Sequence, residues 1–479
     1  AASDVYKRQY KDRLILTTTL NADMQRYAEA AVKEHMKKLQ HEFYSHWENR
    51  EPWYNKPQVL EQAIQNSPVY LSLKGQGYNE KQIAEIMNRK KAMMVYSAYQ
   101  GEASAEMSSI DSIKHYLKIL HPGMIAVEPN SGKIRVWIGD LDYKYFQYDQ
   151  VGAPRQVGSV FKPVVYSAAI HNGAQLDAYY KNEQKTYKEY EDWTPRNSDN
   201  DYTGYYTLKG ALSKSINTIA VEVLLQTGIE KTIVHARNLG IKSELPQYPS
   251  LALGSADIPL SEMILPYMCF ANAGKLMTPY YLLEIRDQSG TVLYQAPVPE
   301  SKEVLPSQEA YVMSNILSAV INEGTGRRLR TTYGLKNELA GKTGTTQNQA
   351  DGWFIGYNSR IVVGIRVGAN DRNIHFNSIR LGQGAHMALP IFGLFMRECL
   401  KDPAYARWES LSFPLVPVAE QKELDTPIFQ EKMNLFERIG NKKLKKRALV
   451  HPTDTVVKKE KKGFFRKIGN LFRKKKEEE

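Results

Sequence analysis

Apolar residues recur along this chain at two spacings, and the switch between them marks its organisation. Residues 14–19 are β-branched and strand-like, and Asn21 stands where a helix N-cap is expected. Beyond it Met24, Tyr27, Ala28, Ala31, Val32, Met36 and Leu39 recur at helical spacing, the signature of one buried face. Residues 41–120 are polar and aromatic-rich, read as mostly helical, and carry no recognisable chemistry. From 123 the pattern changes. Residues 123–129 read as a strand, Asn130-Ser131-Gly132 as a turn, and 133–139 as a returning strand. A helix is predicted to begin near Ser159, and 183–206 reads as polar surface loop. Leu208, Leu212, Ile216, Ile219, Val223 and Leu224 predict a helical stretch. Residues 339–346 and 353–367 read as consecutive strands, and 385–400 as a closing helix. A strand pair, a block of helices and further strands predict an α+β domain whose first and last strands share one antiparallel sheet flanked by helices.

Length and charge refine this outline. A chain of 479 residues, 42% of them hydrophobic, has room for roughly two or three domains and a sizeable core. The net charge of +12 suggests nucleic acid or a membrane surface, and its location decides how to read it. Fifteen of the 64 basic and five of the 52 acidic residues fall within 441–479, so this tail carries +10 and the rest only +2. In the tail Phe464, Phe465, Ile468, Leu471 and Phe472 fall near one helical face, with basic residues on the other. That pattern suits contact with anionic lipid or an anionic polymer, and a solvated disordered tail is the alternative. There is no run of eighteen apolar residues. Cys269 and Cys399 lack metal-ligand spacing and read as buried free thiols, with a disulfide between them as the alternative. At the other end, Asp4-Val5-Tyr6-Lys7-Arg8-Gln9 back-translates to GAT GTG TAT AAG AGA CAG. That string is a transposon end used to fragment DNA for sequencing, so residues 1–9 read as translated adaptor on a truncated stretch of a longer protein.

Three short strings carry the chemistry. Ser159-Val160-Phe161-Lys162 puts a serine and a lysine on one helical face. A serine hydroxyl needs a base, and lysine serves as one only when desolvation or a neighbouring cation keeps it neutral. Lys342 is a suitable neighbouring cation. A helix N-terminus at Ser159 would also turn backbone N–H and dipole toward a developing oxyanion. For a polar relay there are two candidates. Ser198-Asp199-Asn200 lies in the polar loop, where an ordinary Asx turn is the plain reading. Ser215-Ile216-Asn217 lies in the helical stretch, whose fixed backbone holds a hydroxyl within reach of Lys162 more dependably, and is preferred. In Lys342-Thr343-Gly344, Gly344 removes a side chain where another backbone must approach closely, and a peptide could lie along the strand. The Lys342 ammonium and the Thr343 and Thr345 hydroxyls suit a carboxylate. Rival chemistries lack their motifs: there is no Gly-x-Ser-x-Gly, His-Glu-x-x-His or phosphate-binding loop, and no cofactor is called for.

In this order, the three strings are the recognised signature of serine β-lactamases and penicillin-binding proteins. From about Leu14 to Leu400 the chain resembles the transpeptidase region of class A penicillin-binding proteins. The resemblance rests on Thr18-Thr19-Leu20-Asn21 with Met24-Gln25, on 155–163, on 208–217, on 341–346 followed by Asp351–Tyr357, and on 385–396 with Pro390-Ile391-Phe392. It implies a serine-type D-Ala-D-Ala transpeptidase that cross-links peptidoglycan stem peptides and is acylated by β-lactams at Ser159. It implies Lys162, Ser215, Asn217 and Lys342 as further catalytic residues, and Thr343, Gly344 and Thr345 as substrate-binding ones. Its alternatives are a D,D-carboxypeptidase and a non-catalytic penicillin-recognising sensor or scaffold. The absence of a Glu-x-x-Leu-Asn string between the second and third motifs disfavours a β-lactamase. The resemblance further implies an extracytoplasmic enzyme, out of reach of nucleic acid, whose membrane anchor and glycosyltransferase domain lie upstream of this sequence. The expected organisation is adaptor over 1–9, a linker and helical, lineage-specific insertion over 10–122, the transpeptidase domain over 123–400, and a C-terminal extension with a basic tail over 401–479.

Overall fold

The computed structural model describes residues 13–432. The adaptor reading of 1–9 and the amphipathic reading of the 441–479 tail fall outside these residues. Strand β1 (Ile15–Thr18) leads into the 25-residue helix α1 (Ala22–His46). Asn21 caps it, Oδ1 accepting from the Met24 N–H at 2.9 Å. Met24, Ala28, Ala31, Val32, Met36 and Leu39 are buried along one face, and Phe43 extends the stripe. Short helices α2 (Gln58–Gln65), α3 (Pro68–Gly75) and α4 (Glu80–Asn88) follow. A hairpin of β2 (Lys91–Ser97) and β3 (Gly101–Met107) comes next, and then α5 (Ser109–Leu117). The hairpin departs from the mostly helical expectation. Its second strand alternates exposed Glu102, Ser104 and Glu106 with half-buried Gly101, Ala103, Ala105 and Met107, so the two-residue period carries little hydrophobic contrast.

The main sheet unites distant parts of the chain. β4 (Leu120–Val127) and β5 (Ile134–Ile138) join β6 (Ala340–Thr345), β7 (Asp351–Tyr357) and β8 (Val362–Ala369) in the order β6-β7-β8-β4-β5, antiparallel throughout. Every residue of β4, β7 and β8 is buried, because helices cover both faces. Side-chain alternation divides two cores. Ile125, Val127 and Ile355 pack with α6 (Lys162–His171), α7 (Leu208–Lys214), α8 (Asn217–Thr227) and α9 (Ser307–Asn322). Met124, Ala126 and Phe354 pack with α1 and the closing helix α10 (Leu389–Lys401). One expectation is corrected: the helical stretch from Leu208 to Leu224 is two helices, broken at Ser215. Cys269 and Cys399 are buried and unbridged.

Residues beyond α10 fold back onto the domain. The Pro427 carbonyl accepts from the Tyr179 hydroxyl at 2.7 Å, and that of Ile428 accepts from the Thr207 N–H at 3.2 Å. Phe429–Gln430 then pairs antiparallel with Tyr205–Tyr206, on the doorstep of α7. Among the described residues no helix is long and apolar enough to cross a membrane.

A buried ion pair fixes the turn between β6 and β7. Arg366 on β8 donates to Asp351 Oδ1 through Nε, at 2.7 Å, and through Nη2, while its Nη1 donates to Gln150 Oε1 at 2.6 Å. The Asp351 N–H is bonded in turn to Thr346 Oγ1 at 2.8 Å. Removing one partner of such a pair strands a charge in the core. Arg366→Met is therefore expected to lose about 3–5 kcal/mol of stability, measured as a lowered denaturant midpoint.

Candidate active site

Ser159 lies in a 3-10 turn (Gly158–Phe161), and its carbonyl accepts the N–H of Lys162, the first residue of α6. The turn is pinned from outside. The Val157 and Gly158 N–H groups donate to the Ala256 and Gly254 carbonyls at 3.2 and 3.0 Å, and the Tyr267 hydroxyl donates to the Val160 carbonyl at 2.8 Å. Gly158 has φ +56°, and a Cβ there would stand 2.6 Å from the Thr345 carbonyl oxygen. From the β6 side, a Cβ on Gly344 would meet the Val157 carbonyl oxygen at 3.0 Å and Val160 Cγ1 at 2.9 Å. The backbone that crowds Gly344 is thus the serine turn itself, and two glycines let the turn and the strand touch.

The second string sits in the break between two helices. α7 ends at Lys214, Ser215 adopts the left-handed conformation (φ 60°, ψ 38°), Ile216 is extended, and α8 starts at Asn217. A left-handed serine costs on the order of 1–3 kcal/mol. In return both its carbonyl and its hydroxyl reach Lys162. Lys162 Nζ donates to the Ser215 carbonyl at 2.6 Å and to Asn217 Oδ1 at 2.7 Å, and lies 3.2 Å from Ser215 Oγ. Lys342 Nζ approaches the same hydroxyl from β6, at 2.9 Å, and donates to the Thr343 carbonyl at 3.0 Å. Both lysines are fully buried. Burial, and then the charge of Lys342, hold the Lys162 amine well below its ordinary range. Burial brings Lys342 down to about 7. Two amines sharing one hydroxyl in a dry site titrate as a pair, and only one readily carries the charge. With Lys162 neutral, its two N–H bonds are used by the Ser215 carbonyl and Asn217 Oδ1, which leaves a lone pair free to accept a proton.

These side chains face a cleft of about 570 Å3, bordered by Ser159, Ser215, Asn217, Thr343 and Thr345, with the lysines behind its wall. Thr345 Oγ1 accepts from the Gly384 N–H at 3.1 Å, leaving its own O–H free to donate. Thr343 Oγ1 pairs with Thr325 Oγ1 at 2.6 Å. Thr325 also borders the cleft and escaped notice in the sequence, although its setting in Gly324-Thr325-Gly326 after α9 is a detectable signal. Ser198 borders the cleft too, in the loop before α7, but the hydrogen bonds of Lys162 run to Ser215 and Asn217.

Residues 123–373 match the penicillin binding protein transpeptidase domain, and residues 47–120 match the penicillin-binding protein middle domain. The second match covers most of the stretch read from the sequence as linker and insertion. Penicillin-binding protein 1A of Aquifex aeolicus is 31% identical over 411 residues, 81% of this chain and 54% of that relative. The chain thus spans about half the length of that relative. The crystal structure of penicillin-binding protein 1A from Haemophilus influenzae superposes with a TM-score of 0.64 at 19% identity, covering 87% of this chain and 71% of that one. The PonA1 protein of Mycobacterium tuberculosis, in complex with penicillin V, superposes with a TM-score of 0.58 at 17% identity, covering 85% and 90%. Both structures share the fold. The chain belongs to the penicillin-binding protein transpeptidase family, as a class A transpeptidase region.

Proposed function

We propose that this chain is a serine D-Ala-D-Ala transpeptidase acting on peptidoglycan stem peptides outside the cytoplasm. The observation that carries the reading is the buried Lys162 amine, one turn from Ser159 and hydrogen-bonded to Ser215 and Asn217. Ser159 Oγ attacks the carbonyl of the penultimate D-Ala, and its proton passes to the lone pair of Lys162. The backbone N–H groups of Ser159 and Thr345 receive the oxyanion. As the C–N bond breaks, Ser215 passes the proton to the departing D-Ala amine. An amine of a second stem peptide then attacks the acyl-enzyme and returns a proton through the same base. Lys342 supplies positive field, and the hydroxyls of Thr343 and Thr345 hold the terminal carboxylate. β-Lactams enter by the same acylation, in keeping with the penicillin V complex of PonA1.

The reading is tested with a fluorescent penicillin. The folded wild-type chain is expected to gain one covalent label, and Ser159→Ala none; an unlabelled wild type overturns the proposal. Label without cross-linking of stem peptides would restrict the activity to a carboxypeptidase or a sensor.

Ser215→Ala is expected to slow acylation by about 10²–10⁴-fold, the usual weight of a proton-transfer group. Ser198→Ala should stay within a few-fold of wild type, by roughly the margin expected of a surface polar change. Stopped-flow acylation of the two variants separates the candidates.

The second-order acylation constant should also depend on pH in a definite sense. It rises as Lys162 loses its proton and becomes a base. It falls as pH climbs through about 7, where Lys342 loses its charge. In Lys342→Arg the residual activity should lack that alkaline limb, because a guanidinium stays charged.

A further inference from the structure

Helix α8 opens at Asn217 behind Ile216, a residue with no polar side chain to cap it. The first N–H groups of a helix need acceptors from elsewhere. Here the acceptor comes from the loop before α7. Asn197 Oδ1 accepts the Asn217 N–H at 2.9 Å and the Thr218 N–H at 3.1 Å. The amide nitrogen of Asn197 donates to Asn182 Oδ1 at 2.8 Å and to the Asp201 carbonyl at 2.7 Å. Asn182 Oδ1 also accepts from Thr218 Oγ1 at 2.8 Å. Asn182, Asn197 and Thr218 are buried at 2%, 6% and 4% exposure, so every polar atom of the Asn197 amide is matched away from water.

Two consequences reach the site. A borrowed cap frees the side chain of Asn217 from serving its own helix end. The same loop presents the Arg196 carbonyl, which accepts from Asn217 Nδ2 at 2.7 Å and leaves Oδ1 as the atom turned to Lys162 Nζ. A flipped Asn217 amide would set carbonyl against carbonyl at Arg196 and turn an N–H onto the Lys162 nitrogen, taking up the lone pair that must accept the proton. We propose that Asn197 is a positioning residue for acylation: it caps α8 from the loop and thereby fixes the Asn217 amide oxygen on the Lys162 amine. The role depends on neutrality as well as shape. An aspartate at 197 would lose both donors and add a negative charge beside Asn217, the residue hydrogen-bonded to Lys162, which favours the ammonium form.

This role rests on the acyl-transfer reading, and the experiment keeps the two separable. Penicillin acylation constants are measured for wild type, Asn197→Ala, Asn217→Ala and the double variant, with thermal melts as a fold control. Asn197→Ala is expected to slow acylation by about tenfold or more in the wild-type background and by less than about twofold beside Asn217→Ala, the non-additivity of residues acting as one unit. Equal losses in the two backgrounds, or a single variant within about twofold of wild type, would overturn the role of Asn197 while leaving acyl transfer intact. An unlabelled wild-type chain would overturn both. Should Asn197→Ala fail to fold, Asn197→Asp serves instead. The acid limb of its pH–rate profile is expected to move to higher pH, and an unmoved limb counts against the proposal.

Discussion

Two buried amines meet at one serine hydroxyl, and much of the domain is organised around that contact. Lys162 and Lys342 reach Ser215 Oγ from a helix and from a strand, and among the described residues their hydrogen-bond partners are all neutral. Burying an ammonium without a carboxylate beside it is costly, and the system responds by giving up a proton. That response makes a lysine useful as a base near neutral pH. The surroundings therefore have two tasks: to keep water from Lys162, and to supply acceptors that suit a neutral amine. α6, β6 and the break between α7 and α8 do the first, and the Ser215 carbonyl and Asn217 Oδ1 do the second.

The break at Ser215 shows how geometry and strain are linked. Were the chain helical through this point, the Ser215 carbonyl would be directed along the helix axis to a residue four ahead. The left-handed turn releases it toward Lys162 together with the hydroxyl. Support comes from both sides. The fold-back of 427–430 bonds to Thr207, which caps α7 with its own side chain, and the 196–201 loop caps α8.

The sequence revealed the elements whose signal is local. α1 announces itself through Asn21 and its apolar stripe, and the strand-turn-strand at 120–138 through period and turn residues. The order of the three strings pointed to one site, and the crowding at Gly344 was anticipated because only a missing side chain admits another backbone there. What stayed hidden depends on distance or on polar contacts without periodicity. Leu208 to Leu224 keeps its apolar spacing across the break, so nothing in the pattern announces the left-handed Ser215. The hairpin at 91–107 has a single large apolar residue, Met107, on its second strand. Thr325 reaches Thr343 from beyond α9, and Ser198 borders the cleft without bonding to the lysine, so residue type alone could not rank the two serine strings.

The order of strands has a bearing on when such chemistry can exist at all. β4 pairs with β8, so that Val127 faces Val362 and Leu120 faces Ala369, while β6 closes the sheet against the serine turn. Contacts so remote in sequence form late and slowly. A nascent or partly unfolded chain holds Lys162 as an ordinary hydrated ammonium and Ser159 as an unreactive alcohol. In the proposed mechanism reactivity is thus latent in the polypeptide and comes into being with the closing strands, which would spare an unfinished chain from acylating itself on whatever ester or lactam it meets.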